Sequence, residues 1–214
     1  IAVATGACWT HRLYSPLEIP AEPLNHPHVY TPEDVFSEQV AGDRVLIFDY
    51  DNYYLGGVLA EHLATQGKIV TYATPAGHAS AWTFMTNELP YVYQALGRHR
   101  IDIHTTTNLL GFDGARAAMQ NLFNATPLEL EVDSIVIVGH REPRDALYEA
   151  LMASEQESDE HRSIELVGDA LAPGAIVHAV HSGHSFARGL VDGETIYLRD
   201  EPIVPAEPLL VFPR

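Results

Sequence analysis

The side chains best suited to chemistry lie near the end of the chain, where His178, His181 and His184 recur at three-residue intervals around Ser182. Three imidazoles can ligate zinc, and a serine can act as a nucleophile. The segment 176–189 is predicted to be a helix, and this spacing spreads the histidines around and along its axis instead of gathering them at one centre. Ser182 also falls inside the helix, away from the strand-to-helix turn that exposes a nucleophilic serine. We therefore predict no metal site and no catalytic residue here.

Two aspartates form a second candidate pair, because Asp49 ends the apolar run Arg44–Asp49 and Asp51 follows two residues later. Neighbouring carboxyl groups can share acid and base roles in catalysis. Since no basic residue is adjacent to them in sequence, we predict that both are solvent-facing turn residues. The pair therefore predicts a turn and no acid–base site.

The elements around these aspartates define the fold. The run 44–49 is typical of a strand buried on both faces, residues 55–65 have helical spacing up to Gly67, and 69–72 form the next strand. A strand, a helix, a glycine and a second strand make one right-handed βαβ unit. The middle of the chain is therefore predicted to contain a parallel sheet.

The remaining elements follow from the same patterns. Thr31 is a predicted helix cap, with Pro32 in the first helical position. Residues 12–28 contain four prolines and predict an extended connector. Further predicted elements are helices at 32–40, 84–96, 145–153 and 176–189, strands at 101–104, 134–138 and 164–167, an antiparallel meander near Leu109, 117–123 and 128–132, and an extended tail.

The turn after the first strand of the βαβ unit departs from the pattern that binds NAD. That pattern, Gly-x-Gly-x-x-Gly, lets the backbone approach a pyrophosphate without side chains in the way. Counting back from residues 60–63, the three glycine positions fall on Asp51, Tyr53 and Gly56. A negative charge and a ring then occupy the space of the phosphate, so we predict no NAD(P)H binding. Tyr53 and Tyr54 either fill the vacated space or form a surface for a protein partner or an altered ligand.

Composition excludes several classes of function. The chain has 12 Lys and Arg against 29 Asp and Glu, a net charge of −17, which disfavours nucleic-acid and membrane-surface partners. Its one cysteine, Cys8, cannot supply a disulfide, a structural zinc site or the thiolates of an iron–sulfur cluster. No secretory leader or membrane-spanning run is present, so we expect a cytoplasmic protein. The start at Ile1 without Met predicts the back portion of a longer enzyme.

Three stretches carry a resemblance to a known family. They are Val3-Ala4-Thr5-Gly6-Ala7, the run from Arg44 to Leu63 with its Asp-Asn-Tyr-Tyr turn, and Leu166-Val167-Gly168-Asp169-Ala170-Leu171-Ala172-Pro173. From Ala4 to about Leu190, the chain resembles the C-terminal part of trimethylamine dehydrogenase-like flavoproteins, which include dimethylamine and histamine dehydrogenases. The 2,4-dienoyl-CoA reductases are more distant relatives.

The resemblance implies an α/β fold class. It implies a Rossmann-like three-layer fold with a parallel sheet, the NAD-like domain, plus the C-terminal part of an ADP- or FAD-binding Rossmann-like domain. Residues 1–42 would end the first pass through the ADP- or FAD-type domain and form a connector. Residues 43–153 would form the NAD-like domain with its altered turn, and residues 154–214 would return to the first domain and form the tail.

The resemblance also implies a function. The intact enzyme would carry FMN and a 4Fe-4S cluster on an N-terminal barrel, oxidise a small amine by N-dealkylation or deamination, pass electrons to an electron-transfer flavoprotein, and form a homo-oligomer. This segment would be inactive alone, with Thr5, Gly6, Gly168 and Asp169 near the ADP or FAD. Two alternatives stay open: an NAD(P)H-dependent reductase of the dienoyl-CoA type, and a stand-alone Rossmann-like interaction module.

Overall fold

The computed structural model of the protein describes residues 1–13, 24–156 and 163–192. These residues form two compact units. The first unit combines residues 1–7 with the described residues from Pro143 onward, and the second comprises 8–142. Part of the predicted connector at 12–28 and all of the tail after residue 192 lie outside the described residues.

Strands and helices alternate along most of the chain. The strands are β1 (Ala2–Val3), β2 (Ala7–Trp9), β3 (Val29–Tyr30), β4 (Arg44–Asp49), β5 (Ile69–Ala73), β6 (Asp102–His104), β7 (Thr107–Phe112), β8 (Arg116–Asn121), β9 (Pro127–Glu131), β10 (Ser134–Val138), β11 (Arg141–Pro143) and β12 (Glu165–Leu166). The helices are α1 (Pro32–Phe36), α2 (Tyr54–Thr65), α3 (Leu89–Arg98), α4 (Ala146–Gln156) and α5 (Ile176–Asp192), and short 3-10 helices span Ala81–Phe84 and Gly168–Ala170.

The second unit is built on a five-stranded parallel sheet with the strand order β3-β10-β4-β5-β6. The central strand β4 lies between β10 and β5, so that Ile47 is level with Val136 on one side and Tyr72 on the other. Because β4 is covered on both faces, its residues between Arg44 and Asp49 are all apolar and buried. The predicted βαβ unit and mixed α/β fold are confirmed.

The core of the second unit has two halves, one on each face of the parallel sheet. Alternate residues of a strand point to opposite faces. Val45 and Ile47 accordingly pack with Leu59 and other residues of the helices, whereas Leu46 and Phe48 pack with the antiparallel sheet β7-β8-β9. The unit therefore has three layers, and the predicted meander forms the third of them.

Replacing Ile47 by valine should lower the free energy of unfolding of this unit by about 1 kcal/mol, because the lost methylene leaves a small cavity in a fully buried site. The same change at Ile69, which is 67% exposed, should have almost no effect. Urea unfolding followed by tryptophan fluorescence checks both, since Trp9 and Trp82 both lie in this unit. Equal losses at the two positions would contradict the assignment of Ile47 to the core.

Two helix boundaries and three strands differ from the sequence predictions. The first helix was expected to reach about Val40, but it ends at Phe36, and Glu38 has a φ of 56°. The helix expected at 84–96 begins only at Leu89, after Asn87 with a φ of 60°. A left-handed residue interrupts the helical hydrogen bonds at both places. The strands β2, β3 and β11 were not predicted.

The first unit contains the parallel pair β1 and β12 together with α4 and α5. The predicted strand at 164–167 and the predicted helix at 176–189 are confirmed as β12 and α5. Among the described residues, no helix has both the length and the apolar character needed to span a bilayer.

Candidate functional site

The four residues predicted to contact a nucleotide lie in two turns at one edge of the first unit. In the pair of β1 and β12, Ala2 is level with Glu165 and Val3 with Leu166, so both strands end at the same edge. Thr5 and Gly6 follow β1, whereas Gly168 and Asp169 follow β12. Carboxyl ends of neighbouring parallel strands are the usual ligand-binding edge of an α/β sheet. The fold therefore brings the two sequence-predicted turns to one place.

Both turns need the backbone freedom of glycine. Gly6 has a φ of 77° and Gly168 a φ of 63°, values that side chains with a Cβ rarely adopt. Apart from its two neighbours in the chain, no described residue has an atom within 4 Å of the position that a Cβ would take at Gly6. The turn after β1 is therefore open on that side.

Hydrogen bonds within the unit hold the turn after β1. The Thr5 hydroxyl donates to the carbonyl oxygen of Arg144. The Arg144 N–H in turn donates to the carbonyl oxygen of Gly6 at 2.9 Å. These reciprocal bonds fix the Thr5 and Gly6 backbone beside the segment that precedes α4.

The turn after β12 is held by two side chains. The Gly168 N–H donates to Ser182 Oγ at 3.0 Å, and the Gly174 N–H donates to Asp169 Oδ1 at 3.2 Å. Ser182 therefore lies inside α5, as the sequence predicted, and it acts as a hydrogen-bond acceptor for the turn. Sequence reasoning weighed Ser182 only as a nucleophile and missed this role.

A cavity of about 510 Å³ lies beside these turns in the first unit. Its lining comes mainly from β12 and α5 and includes Val167 and Ser182, the neighbours of Gly168. Thr5, Gly6 and Asp169 do not line it. The cavity is therefore adjacent to the predicted contact edge and distinct from it.

The second candidate site is the altered turn after β4, and its central group is the carboxylate of Asp49. This side chain is fully buried. Tyr72 donates its hydroxyl hydrogen to Oδ2, and the Asn52 N–H donates to Oδ1 at 2.9 Å. The prediction that Asp49 faces solvent is therefore wrong. In a dinucleotide fold the backbone N–H groups of this turn face the phosphate, whereas here one of them is paired with the chain's own carboxylate.

Gly56 explains how Asp49 can be buried at the end of a strand. A Cβ at Gly56 would lie 2.5 Å from both Cγ and Oδ2 of Asp49, closer than non-bonded atoms approach. The missing side chain therefore lets α2 pass directly over the carboxylate. Gly56 is the one glycine of the three-glycine pattern that this sequence keeps, and close helix–strand packing is the role of the third glycine in that pattern.

Polar side chains from β5 and the following loop complete the turn. The hydroxyl oxygen of Tyr72 accepts the Ser80 N–H at 2.9 Å. Thr74 Oγ1 donates to Asn52 Oδ1 at 2.9 Å, and Asn52 Nδ2 donates to the Tyr50 carbonyl at 2.7 Å. Asn52 has a φ of 61°, a conformation that asparagine tolerates better than most residues. These bonds hold the turn in one shape around Asp49.

Burial changes the acidity of this group of side chains. It raises the pKa of Asp49 to about 7, against the opposing effect of the hydrogen bond from Tyr72. Burial and the nearby Asp49 carboxyl raise the pKa of Tyr72 well above its usual value. Burial also raises the pKa of Asp51, which the charge of Arg141 opposes. Asp49 is therefore the carboxyl group of this turn that gains or loses its proton near neutral pH.

The two tyrosines of the turn lie at the surface. Tyr53 is 43% and Tyr54 37% exposed, and their ring centroids are 4.4 Å apart. The Tyr54 hydroxyl donates to a carboxylate oxygen of Glu88. Both rings are therefore partly exposed, and the fully buried side chain at this turn is Asp49.

Comparisons with known proteins agree with this architecture. Residues 30–134 match the family model described as the OYE-like second alpha/beta domain. Over 220 residues the chain is 30% identical to dimethylamine dehydrogenase from Hyphomicrobium sp. (strain x), an alignment that covers 91% of this chain and 30% of that protein.

Two solved structures extend the similarity. The 6-hydroxypseudooxynicotine amine oxidase of Pseudomonas geniculata N1 superposes with a TM-score of 0.81 at 31% identity, over 90% of this chain and 29% of that one. Histamine dehydrogenase from Rhizobium sp. 4-9 superposes with a TM-score of 0.82 at 26% identity, over 99% of this chain and 33% of that one. The chain therefore spans about a third of the length of these relatives.

These similarities define the class of protein first: the relatives are amine-oxidising flavoproteins, and the dehydrogenases among them are oxidoreductases. Within that class, the chain is similar to the part of the trimethylamine dehydrogenase-like flavoproteins that contains the OYE-like second alpha/beta domain. The resemblance found in the sequence is confirmed.

Proposed function

We propose that this chain is the C-terminal nucleotide-holding and scaffold region of an amine dehydrogenase-like flavoprotein. The whole protein would oxidise a small amine by N-dealkylation or deamination and pass the electrons to an electron-transfer flavoprotein. The observation that carries this proposal is the edge formed by β1 and β12, where the two sequence-predicted turns lie side by side. The similarity to dimethylamine and histamine dehydrogenases supports the choice of reaction.

In this proposal Thr5, Gly6, Gly168 and Asp169 form one wall of an ADP or FAD site. The open space beside Gly6 and the left-handed turn at Gly168 fit a nucleotide that approaches the backbone closely. The first unit, residues 1–7 with the described residues from Pro143 onward, would then belong to a Rossmann-like ADP- or FAD-type domain, and the second unit, residues 8–142, would be the NAD-like domain. These four residues would orient the ADP or FAD. We assign no residue of the chain to catalysis or to metal binding.

The redox groups of the family do not fit this chain alone. A 4Fe-4S cluster needs four thiolate ligands, and the sequence contains one cysteine, Cys8. We therefore assign FMN and the cluster to a barrel domain elsewhere in the intact protein. Homo-oligomerisation and a cytoplasmic location belong to the same proposal.

The altered turn also argues against NAD(P)H as a ligand of the second unit. The Asn52 N–H is already paired with the buried Asp49, and Asp51 and Tyr53 stand where two glycines would admit the pyrophosphate. A dinucleotide phosphate would have to displace a carboxylate from beneath α2. We propose that this unit is a scaffold and that amine, not NAD(P)H, reduces the flavin.

The product of the complete natural gene tests this proposal. Under anaerobic conditions, a panel of methylated amines and histamine should include one that bleaches the flavin absorbance, whereas NADH and NADPH should leave the spectrum unchanged. Replacing Asp169 by alanine should weaken retention of the bound ADP or FAD, because it removes the acceptor of the Gly174 N–H in the turn after β12. Bleaching by NAD(P)H but by none of the amines would favour the reductase alternative and overturn the proposal.

A further inference from the structure

The second unit exposes a group of large apolar side chains that its core does not use. Between 37% and 71% of each is exposed, and they come from the start of α2, the 3-10 helix at 81–84 with the residue after it, and the start of α3. We call this group the aromatic face: Tyr53, Tyr54, Val58, Trp82, Phe84, Met85 and Tyr91.

Contacts within the unit hold these segments together. The Trp82 N–H donates to the carbonyl oxygen of Asn52 at 2.8 Å, which fixes the 3-10 helix beside the turn. Tyr54 and Thr86 both donate hydroxyl hydrogens to Glu88, which links the start of α2 to the segment before α3. A cavity of about 360 Å³ between the two helices is lined by Tyr54, Val58 and Tyr91, among others. The three segments that carry the aromatic face are therefore held together, and a recess lies between two of them.

The residue types of the aromatic face are those of a protein interface. Tyrosine, tryptophan, phenylalanine and methionine are enriched where proteins bind each other, and a few such anchors in a recess supply most of the binding energy. Single exposed apolar residues are ordinary, but a contiguous group of this kind marks an interaction site. The hydrogen bond to Glu88 also keeps the Tyr54 ring ordered before binding, which lowers the entropic cost.

Charge specifies the partner. Within residues 50–61 and 78–95 the acidic residues are Asp51, Glu61 and Glu88, and there is no lysine or arginine. From outside these segments, the charge of Arg141 acts on Asp51, and His99 lies 3.6 Å from Glu61. Hydrogen bonds from Thr86 and Tyr54 lower the pKa of Glu88, so this carboxylate is ionised at neutral pH. A second copy of the chain would set the same acids against each other. A complementary surface instead carries apolar side chains bordered by lysine or arginine.

We propose that the aromatic face docks a partner protein that presents apolar side chains bordered by basic residues. The altered turn, having lost the features that grip a phosphate, is then the base of a protein-binding surface, because it positions Tyr53, Tyr54 and Trp82. This inference does not depend on the flavin chemistry proposed above, since every residue of the aromatic face lies in the second unit.

The test uses model peptides of defined chemistry and the full chain. An amphipathic helical peptide of leucine and lysine should bind and change the fluorescence of the exposed Trp82. A peptide with glutamate in place of lysine, and one with serine in place of leucine, should bind at least tenfold more weakly. Tyr91→Ser should weaken binding of the leucine–lysine peptide about tenfold or more, and Glu88→Gln should weaken it chiefly at low salt.

Two matched variants on the third layer of the unit serve as controls. Phe123 is 86% exposed and Glu129 is an exposed acid, and neither belongs to the aromatic face. Phe123→Ser and Glu129→Gln should therefore leave the affinity unchanged, and urea unfolding should show that all variants are folded. Three results would each overturn the proposal. They are failure of the leucine–lysine peptide to bind, an equal loss of peptide affinity in Phe123→Ser and Tyr91→Ser, and a dimer in sedimentation that Tyr91→Ser dissociates. The last result would show that a second copy occupies the surface.

Discussion

Replacing Gly56 by alanine is expected to lower the free energy of unfolding of the second unit by about 2 to 3 kcal/mol. The new methyl group would lie 2.5 Å from Asp49 Cγ and 2.8 Å from Asp49 Cβ, so either α2 must move away from β4 or the carboxylate must leave its site. Leaving would break the hydrogen bonds from Asn52 and Tyr72. Urea unfolding followed by tryptophan fluorescence measures the loss.

Two other glycines provide the controls for this result. A Cβ at Gly97, near the end of α3, would meet no atom within 4 Å, and alanine there should stabilise the helix by about 0.5 to 1 kcal/mol. A Cβ at Gly57 would lie 3.0 Å from Ser80 Oγ, so that variant should fall between the two. If Gly56→Ala were as stable as Gly97→Ala, the close approach of α2 to Asp49 would not exist in solution.

The parallel sheet was predictable because short, local patterns in the sequence indicate its strands. Residues 45–48 are all apolar, and the helix and second strand follow within the spacing of a single βαβ unit. A short apolar run of this kind is typical of a strand that is buried on both faces of a sheet. The antiparallel third layer was also predictable, from short segments separated by loop residues such as Asn124.

The environment of Asp49 was not predictable, because its partners lie far away in sequence. Tyr72 lies on the neighbouring strand β5, and Ser80 follows in the next loop. An aspartate at the end of a strand usually belongs to an exposed turn, and that general preference produced the wrong prediction. The kept glycine at position 56 was the available signal: a glycine in the first turn of a helix indicates a close approach, although it does not say to which group.

The site edge in the first unit was predictable only through the family resemblance. Ala-Thr-Gly and Gly-Asp are too short to identify a nucleotide site by themselves. In the chain, 160 residues lie between Gly6 and Val167, and only the pairing of β1 with β12 brings the two turns together. The structure adds what the motifs did not contain, namely the role of Ser182 on α5 as acceptor for Gly168. Such a contact depends on the packing of a helix against a turn, and sequence spacing does not encode it.

The stability of the second unit is expected to fall as the pH rises from 5 to 8, and Asp49 should be responsible for about 2 to 3 kcal/mol of that fall. Burial raises its pKa to about 7 in the folded chain, against about 3.9 for an unperturbed aspartate. Between these values the folded chain holds a proton that the unfolded chain has released. The contribution to stability is thus fully present below pH 4 and lost as the pH rises through 7.

The variant Asp49→Asn isolates this contribution, because asparagine does not titrate. The difference in unfolding free energy between variant and parent should shift by the same 2 to 3 kcal/mol between pH 5 and 8, in favour of the variant at high pH. Histidine titrations are common to both proteins and cancel. Asp113→Asn is the matched control, because hydrogen bonds from the Ala115 and Arg116 N–H groups lower the pKa of Asp113. The difference in unfolding free energy between Asp113→Asn and the parent should therefore stay constant over this pH range.

If the difference in unfolding free energy between Asp49→Asn and the parent stayed constant from pH 5 to 8, the raised pKa of Asp49 would be contradicted. That result would mean that the donors from Asn52 and Tyr72 hold an ionised carboxylate at every pH in the range, as a dinucleotide turn holds a phosphate. A shift of the expected size would mean that the turn holds a neutral acid at low pH and tolerates the charge only at a cost in stability. The two results assign different charges to the same buried group, so one pH series decides between them.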